Sequence, residues 1–141
     1  MPLITVTYAT PEAVKPQRSA IAATVSRLSS SILGKDPGVT AIIVTESNPE
    51  DWFCGGRSLT EAKLASFWLD IHVTDGTNTK DEKARFIAAV FDAMGELLGP
   101  LHHESYAHVH DVRADAYGYG GQTQEKRYVA ARLMAGEAPV A

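Results

Sequence analysis

The chain has 141 residues, of which 45% are hydrophobic and 21% charged, with a formal net charge of -4; this allows one domain with a real core, or two small units sharing one. The acidic balance gives no basic footprint for nucleic acid or for an anionic membrane surface. No apolar run reaches the length of a membrane span, and the first residues lack the charged and apolar regions of a signal peptide, so a cytoplasmic protein is expected.

Residues 3–8 are rich in Val, Ile and Thr and read as a strand. Directly ahead of them stands Pro2. If Met1 is removed, the Pro2 nitrogen becomes a free secondary amine. An α-amino group titrates near ~7.7 to 8.0 in water, and an apolar setting moves that value down by disfavouring the charged form. A neutral amine there can take a proton from carbon; the plainer alternative is a proline that merely protects the terminus. Over 16–33, Ile21, Val25, Leu28 and Ile32 fall three or four apart, which predicts a helix with Pro16 as its first residue. Gly34 serves as its left-handed cap, and Asp36-Pro37-Gly38 turns the chain. Residues 39–45 form an apolar run short enough for a buried strand. A turn follows over 48–56, with Trp52-Phe53 ahead of Gly55-Gly56.

The second half repeats this order. Residues 67–73 read as a strand that Thr74-Asp75-Gly76 breaks. Thr79-Lys80-Asp81-Glu82 is a capping box, which opens a helix whose apolar face is Phe86, Ile87, Val90, Phe91, Met94, Leu97 and Leu98 and which Gly99-Pro100 closes. Residues 105–112 are a strand, and Tyr117 and Tyr119 precede Gly120-Gly121. The reading ends with a short helix over about 123–134 and a loose tail from 135 to 141.

One constant shift of 65 residues superposes the halves without a gap: 3–8 falls on 68–73, Leu33-Gly34 on Leu98-Gly99, Glu46 on Asp111, Trp52 on Tyr117, and Gly55-Gly56 on Gly120-Gly121. The pattern predicts a duplicated β-α-β unit: an α+β fold in one domain over 1–141, with repeats at about 2–58 and 67–123, a four-stranded sheet and two helices on one face. The other face is left bare, so a closed oligomer is expected. Phe67 falls opposite Pro2, so only the first copy can carry a terminal amine.

These residues resemble the tautomerase superfamily, which is built from β-α-β units and uses an N-terminal proline as base. The resemblance covers roughly 1–123 and is similar to the macrophage migration inhibitory factor group and to 4-oxalocrotonate tautomerase. It rests on the Pro2 strand, Gly34-Lys35 with Pro37, the double glycine within 53–58, and the segment 106–121. It implies a homotrimer and Pro2 as general base. It also implies Lys35 as the cation that holds an acid substrate, and Tyr106 as the acid or hydrogen-bond donor from a neighbouring subunit. His108 and Ile71 would line the pocket, with no cofactor and no metal. The implied activity is the keto–enol isomerisation of small 2-oxo or 2-hydroxy-2-enoic acids. A near-neutral amine suits proton transfer between oxygen and carbon, and a cation with a phenol suits the enolate charge that develops. The chain departs from members that act on dicarboxylates, which carry arginines early in the chain and in the second strand. It also departs from the cis-3-chloroacrylic acid dehalogenase group, which has two arginines where this chain has 74–79. Hydration, dehalogenation or decarboxylation of unsaturated or β-keto acids at the same proline therefore ranks below tautomerisation, and a non-catalytic binding protein on this fold is the alternative from another class.

Cys54, the single cysteine, reads as packing. His108 and His110 lie two apart on a strand, facing the side of Tyr106, with His72 near them; three imidazoles would suit zinc or another divalent ion, but the spacing is no dedicated metal motif, and hydrogen bonding or solvent exposure is the plainer reading. Lys35 also suits the negative end of the first helix. Arg57, Arg113, His102 and His103 read as solvated, and Asp111, paired with Glu46 by the shift, as structural.

Overall fold

Alternation along β1 (Leu3–Ala9) buries Ile4, Val6 and Tyr8 on one side and turns Leu3, Thr5 and Thr7 to the other, as the two-residue period of a strand requires. The computed structural model describes residues 2–136, so the removal of Met1 and, of the tail expected over 135–141, the part from 137 on lie outside the described residues. Helix α1 (Arg18–Leu33) starts two residues later than the sequence predicts. Gln17 is extended and acts as the N-cap, its carbonyl accepting from the amides of Ala20 and Ile21. Gly34, at φ 70°, closes the helix in the left-handed region that glycine adopts without a Cβ penalty. Strand β2 (Ala41–Glu46) also begins late, because the Asp36 carboxylate accepts the Gly38 amide at 2.9 Å and winds Pro37–Val39 into a 3-10 turn.

Around the first double glycine, β3 (Phe53–Cys54) and β4 (Arg57–Ser58) form a two-residue hairpin. Gly55 and Gly56 both have positive φ, 59° and 79°, the requirement of a type I′ turn. A single turn of helix, α2 (Leu59–Ala62), leads into β5 (Ser66–Thr74). The predicted capping box opens α3 (Lys80–Leu98): the Glu82 carboxylate accepts the Thr79 amide at 2.7 Å, and the Thr79 hydroxyl accepts the Glu82 amide at 3.1 Å. Strand β6 (Tyr106–Val112), the hairpin of β7 (Gly118–Tyr119) and β8 (Gln122–Thr123), and α4 (Gln124–Met134) complete the chain.

The second hairpin copies the first at the 65-residue shift, with Gly120 and Gly121 at φ 61° and 79°. The bond from the Leu59 amide to the Trp52 carbonyl, 2.9 Å, recurs as Gln124 to Tyr117 at 2.8 Å. Ser58 and Thr123 cap the helices that follow, at 3.1 and 3.0 Å.

The strands lie in the order β2-β1-β5-β6. Each copy contributes a parallel pair, and the copies meet through antiparallel β1 and β5, with Ile4 opposite Ile71. Helices α1 and α3 pack side by side on one face, where Ile21, Val25, Phe86, Val90 and Met94 meet Ile4, Val6, Phe67, Leu69 and Ile71 in a single core. Neither α1 nor α3 covers the opposite face. It exposes Leu3, Ile43, Trp68 and Tyr106 at 37%, 53%, 55% and 60%, more apolar surface than scattered single residues account for. Among the described residues no helix is long and apolar enough to cross a membrane.

Candidate active site

Pro2 is buried at the head of β1, with its carbonyl accepting the Ala41 amide at 3.2 Å. The next amide, that of Leu3, donates to the Tyr117 hydroxyl at 3.0 Å, and this hydroxyl donates to the His72 carbonyl at 3.2 Å. Tyr117 thus ties the start of β1 to the end of β5. Burial raises its pKa, against a smaller opposing effect of the Leu3 amide, so the hydroxyl stays protonated at neutral pH. The sequence places Tyr117 ahead of the second double glycine, opposite Trp52 in the repeat, and does not show this tie. The one signal was its partner in the repeat, Trp52, against which Tyr117 adds a hydroxyl.

Lys35, just past the Gly34 cap, is half-buried and donates from Nζ to Thr77 Oγ1 at 3.0 Å. The Asn78 side chain donates to the Leu33 carbonyl at 2.9 Å, so the segment after β5 backs onto the end of α1. Leu3 pairs with His72, and Thr77 follows the end of β5, so Lys35 and Pro2 share one end of the sheet. Burial lowers the Lys35 pKa, with the charges of Glu82 and Asp111 acting in the opposite direction. Asp111 itself accepts from Lys83 Nζ at 2.8 Å. A cavity of about 620 Å³ opens beside this end and is lined by Thr74, Thr77, Tyr119, Arg127 and Tyr128 among others, with the Arg127 guanidinium 3.7 Å above the Tyr119 ring.

Tyr106 stands at the other end of the sheet. It pairs with Trp68, which pairs with Thr7, five residues along β1 from Pro2. At ~3.3 Å per residue the two lie roughly 17 Å apart along the strand direction alone, so one chain does not bring them together. The Tyr106 hydroxyl donates to the Glu104 carboxylate; that bond and the carboxylate charge raise its pKa. Trp52, Phe53, Trp68, Glu104 and Tyr106 line a cavity of about 380 Å³. Cys54 borders the same cavity but is buried against Ala9 and Leu59, and burial pushes its thiol up, away from the nucleophilic thiolate.

His108 lies one side-chain row in from Tyr106, on the open face, beside Asp70 and His110. These three are the group among the described residues whose ligand atoms cluster as a metal site requires. Ile71 corrects the expectation of a pocket wall. Its parity on β5 turns it toward the helices, opposite Ile4, and it is 0% exposed. Arg57 and Arg113 are exposed beside Glu61 and Asp115.

No protein-family model matches the chain, and no curated protein matches it. Solved structures do. A fused 4-OT in a symmetric trimer is 18% identical, with 87% of this chain and 96% of that chain covered and a TM-score of 0.73. A macrophage migration inhibitory factor-like protein from Entamoeba histolytica is also 18% identical, over 86% of this chain and 97% of that one, at a TM-score of 0.69. N1, a member of the cis-3-chloroacrylic acid dehalogenase family, is 14% identical over 89% and 90%, at 0.67. The duplicated β-α-β architecture, found again along nearly the full length of each of these chains, is the fold of the tautomerase superfamily, and this chain has it.

Proposed function

We propose that the chain is a tautomerase that interconverts keto and enol forms of small 2-oxo or 2-hydroxy-2-enoic acids, with the Pro2 nitrogen as general base once Met1 has been removed. The observation that carries this reading is the placement of Pro2, buried at the head of β1 at the same sheet end as the half-buried Lys35. Burial keeps a freed amine neutral, and a partly desolvated cation attracts a carboxylate more strongly than one in water. In the proposed reaction the substrate carboxylate pairs with Lys35. Pro2 takes a proton from the carbon next to the keto group, and the electron pair moves onto the oxygen as an enolate. A phenol hydrogen-bonds to that oxygen and steadies its charge; the proton held on Pro2 then passes to it, which gives the enol and restores the neutral amine, and the same steps in reverse return the keto form.

Tyr106 is the proposed phenol, supplied by an adjoining copy. The separation of Pro2 and Tyr106 within one chain and the apolar open face both support an assembly in which copies complete each other's sites. We assign a homotrimer, as in the fused 4-OT structure. His108, one row from Tyr106, would enter the same pocket.

Ketonisation of phenylenolpyruvate by wild type and by Pro2→Ala tests the base. A loss of kcat/KM of roughly 100-fold or more is expected, the usual size of a general-base contribution, and equal rates would remove Pro2 from the mechanism. Intact mass should show a product without Met1, since a retained methionine makes the nitrogen an amide with no basic lone pair. Tautomerisation leaves the substrate mass unchanged, whereas hydration, dehalogenation and decarboxylation do not, so product mass separates the readings.

A further inference from the structure

The open face of the sheet carries an ionisable cluster whose arrangement the proton transfer at Pro2 does not explain. Parallel pairing sets Asp70 beside His108 and His72 beside His110, and alternation along β5 and β6 turns all four to this face. Asp70 Oδ1 lies 2.7 Å from His110 Nε2 and 3.9 Å from His108 Nδ1. One ligand atom from each of Asp70, His108 and His110 lies within 4.8 Å of the others.

We propose that Asp70, His108 and His110 bind a divalent first-row transition ion, Zn2+ foremost, on the open face of the sheet. Four ligands held ~2.0–2.2 Å from a tetrahedral zinc sit about 3.3–3.6 Å from one another, a spacing that the two measured contacts bracket. Asp70 Oδ1 therefore lies within ~1 Å of that spacing from each histidine nitrogen, and the His108 and His110 rings, stacked 3.6 Å apart at 30°, must turn about their side-chain bonds to aim both nitrogens at one ion. The His72 ring stacks on that of His110, 4.6 Å between centroids and 9° apart in plane, which holds the His110 ring in place. His72 thus supports the site and is not one of its three ligands. The neighbouring open-face positions are Leu3, Thr5 and Thr7 on β1, Ile43 on β2, Trp68 on β5 and Tyr106 on β6, so no lysine or arginine of these strands opposes a cation there. Two imidazoles with one carboxylate favour zinc and its first-row neighbours over the oxygen-loving Ca2+ and Mg2+, and leave a fourth position for water. His108 is shared with the proposed substrate pocket, but this inference does not rest on tautomerase activity.

The test is Zn2+ binding to the full chain after stripping with a chelator, followed by competition with a chromophoric chelator. One ion per chain is expected in wild type. Affinity should fall by at least about 10- to 100-fold in Asp70→Asn and in His110→Ala, the loss that even an outer partner of a metal site causes. His103→Ala, in an exposed segment, should bind as wild type does. Affinity unchanged in both cluster variants, or loss of the ion in His103→Ala, would overturn the site. X-ray absorption at the zinc edge of the wild-type protein reads the same question without relying on folded variants: two imidazoles per ion support the site, and an ion with none refutes it.

Discussion

Pro2 and Phe67 occupy equivalent places at the heads of the two copies and differ in what surrounds them. Phe67 is internal and 1% exposed, with its ring 6.4 Å from that of Phe91. Pro2 precedes the first strand, in the one copy where a nitrogen can be freed. The two ends differ in the same sense. Near Pro2 a lysine, a threonine and a tyrosine hydroxyl are arranged by hydrogen bonds. Near the head of β6 a tyrosine, two tryptophans and a phenylalanine border one cavity. A shared backbone thus carries hydrogen-bonded polar side chains at one end and aromatic surface at the other, and side chains alone make the difference.

Substitutions at three positions probe that contrast, beginning with the largest effect. Phe67→Ala should cost about 3–5 kcal/mol of stability, the range for truncating a buried aromatic, measured by urea denaturation. A cost below ~1 kcal/mol would mean that the second copy's head is not a packing position. Lys35→Met should raise KM for an acid substrate roughly tenfold or more, as for loss of a hydrogen bond to a charged group, with a smaller change in kcat. The folded pKa of Lys35 lies below the ordinary 10.5, because burial disfavours its charge. Between the two values the unfolded chain binds more protons, so stability rises with pH in that window, while the charge that holds the substrate is lost as pH rises through the lowered value. The alkaline rise in KM should therefore begin below 10.5, and Lys35→Arg should move it upward. Tyr117→Phe removes the bond to the Leu3 amide and the one to the His72 carbonyl, at a cost of about 1–3 kcal/mol. Thermal unfolding measures that loss, and an unchanged midpoint would show the tie to be dispensable.

Much of the fold was legible in local chemistry. The Thr79 and Glu82 box, the glycine cap at 34 and the three-four apolar spacing each act within a few residues, and the register of the repeat carried the topology. The late starts of α1 and β2 trace to the extended Gln17 and to Asp36 turning onto Gly38, competing local bonds that periodicity does not report. The strands of the two hairpins are two residues each, too short to show a period. Of the proposed site, Pro2 could be named from its place behind Met1, and Lys35 from the family resemblance alone. Tyr117 and Asp70 could not, since one acts across 114 residues and the other gains its partners from cross-strand register. Ile71 was misplaced because its side was not followed along β5 from Leu69 and Val73, which are buried with it.

The 65-residue repetition has a consequence for inheritance. When one gene encodes both units, a mutation enters a single unit and leaves its sibling as it was, whereas units made from one shared short gene would all change together. Phe67 can then stand where the first copy has Pro2 with no change at Pro2, and each half can drift separately while the seam between β1 and β5 keeps them joined.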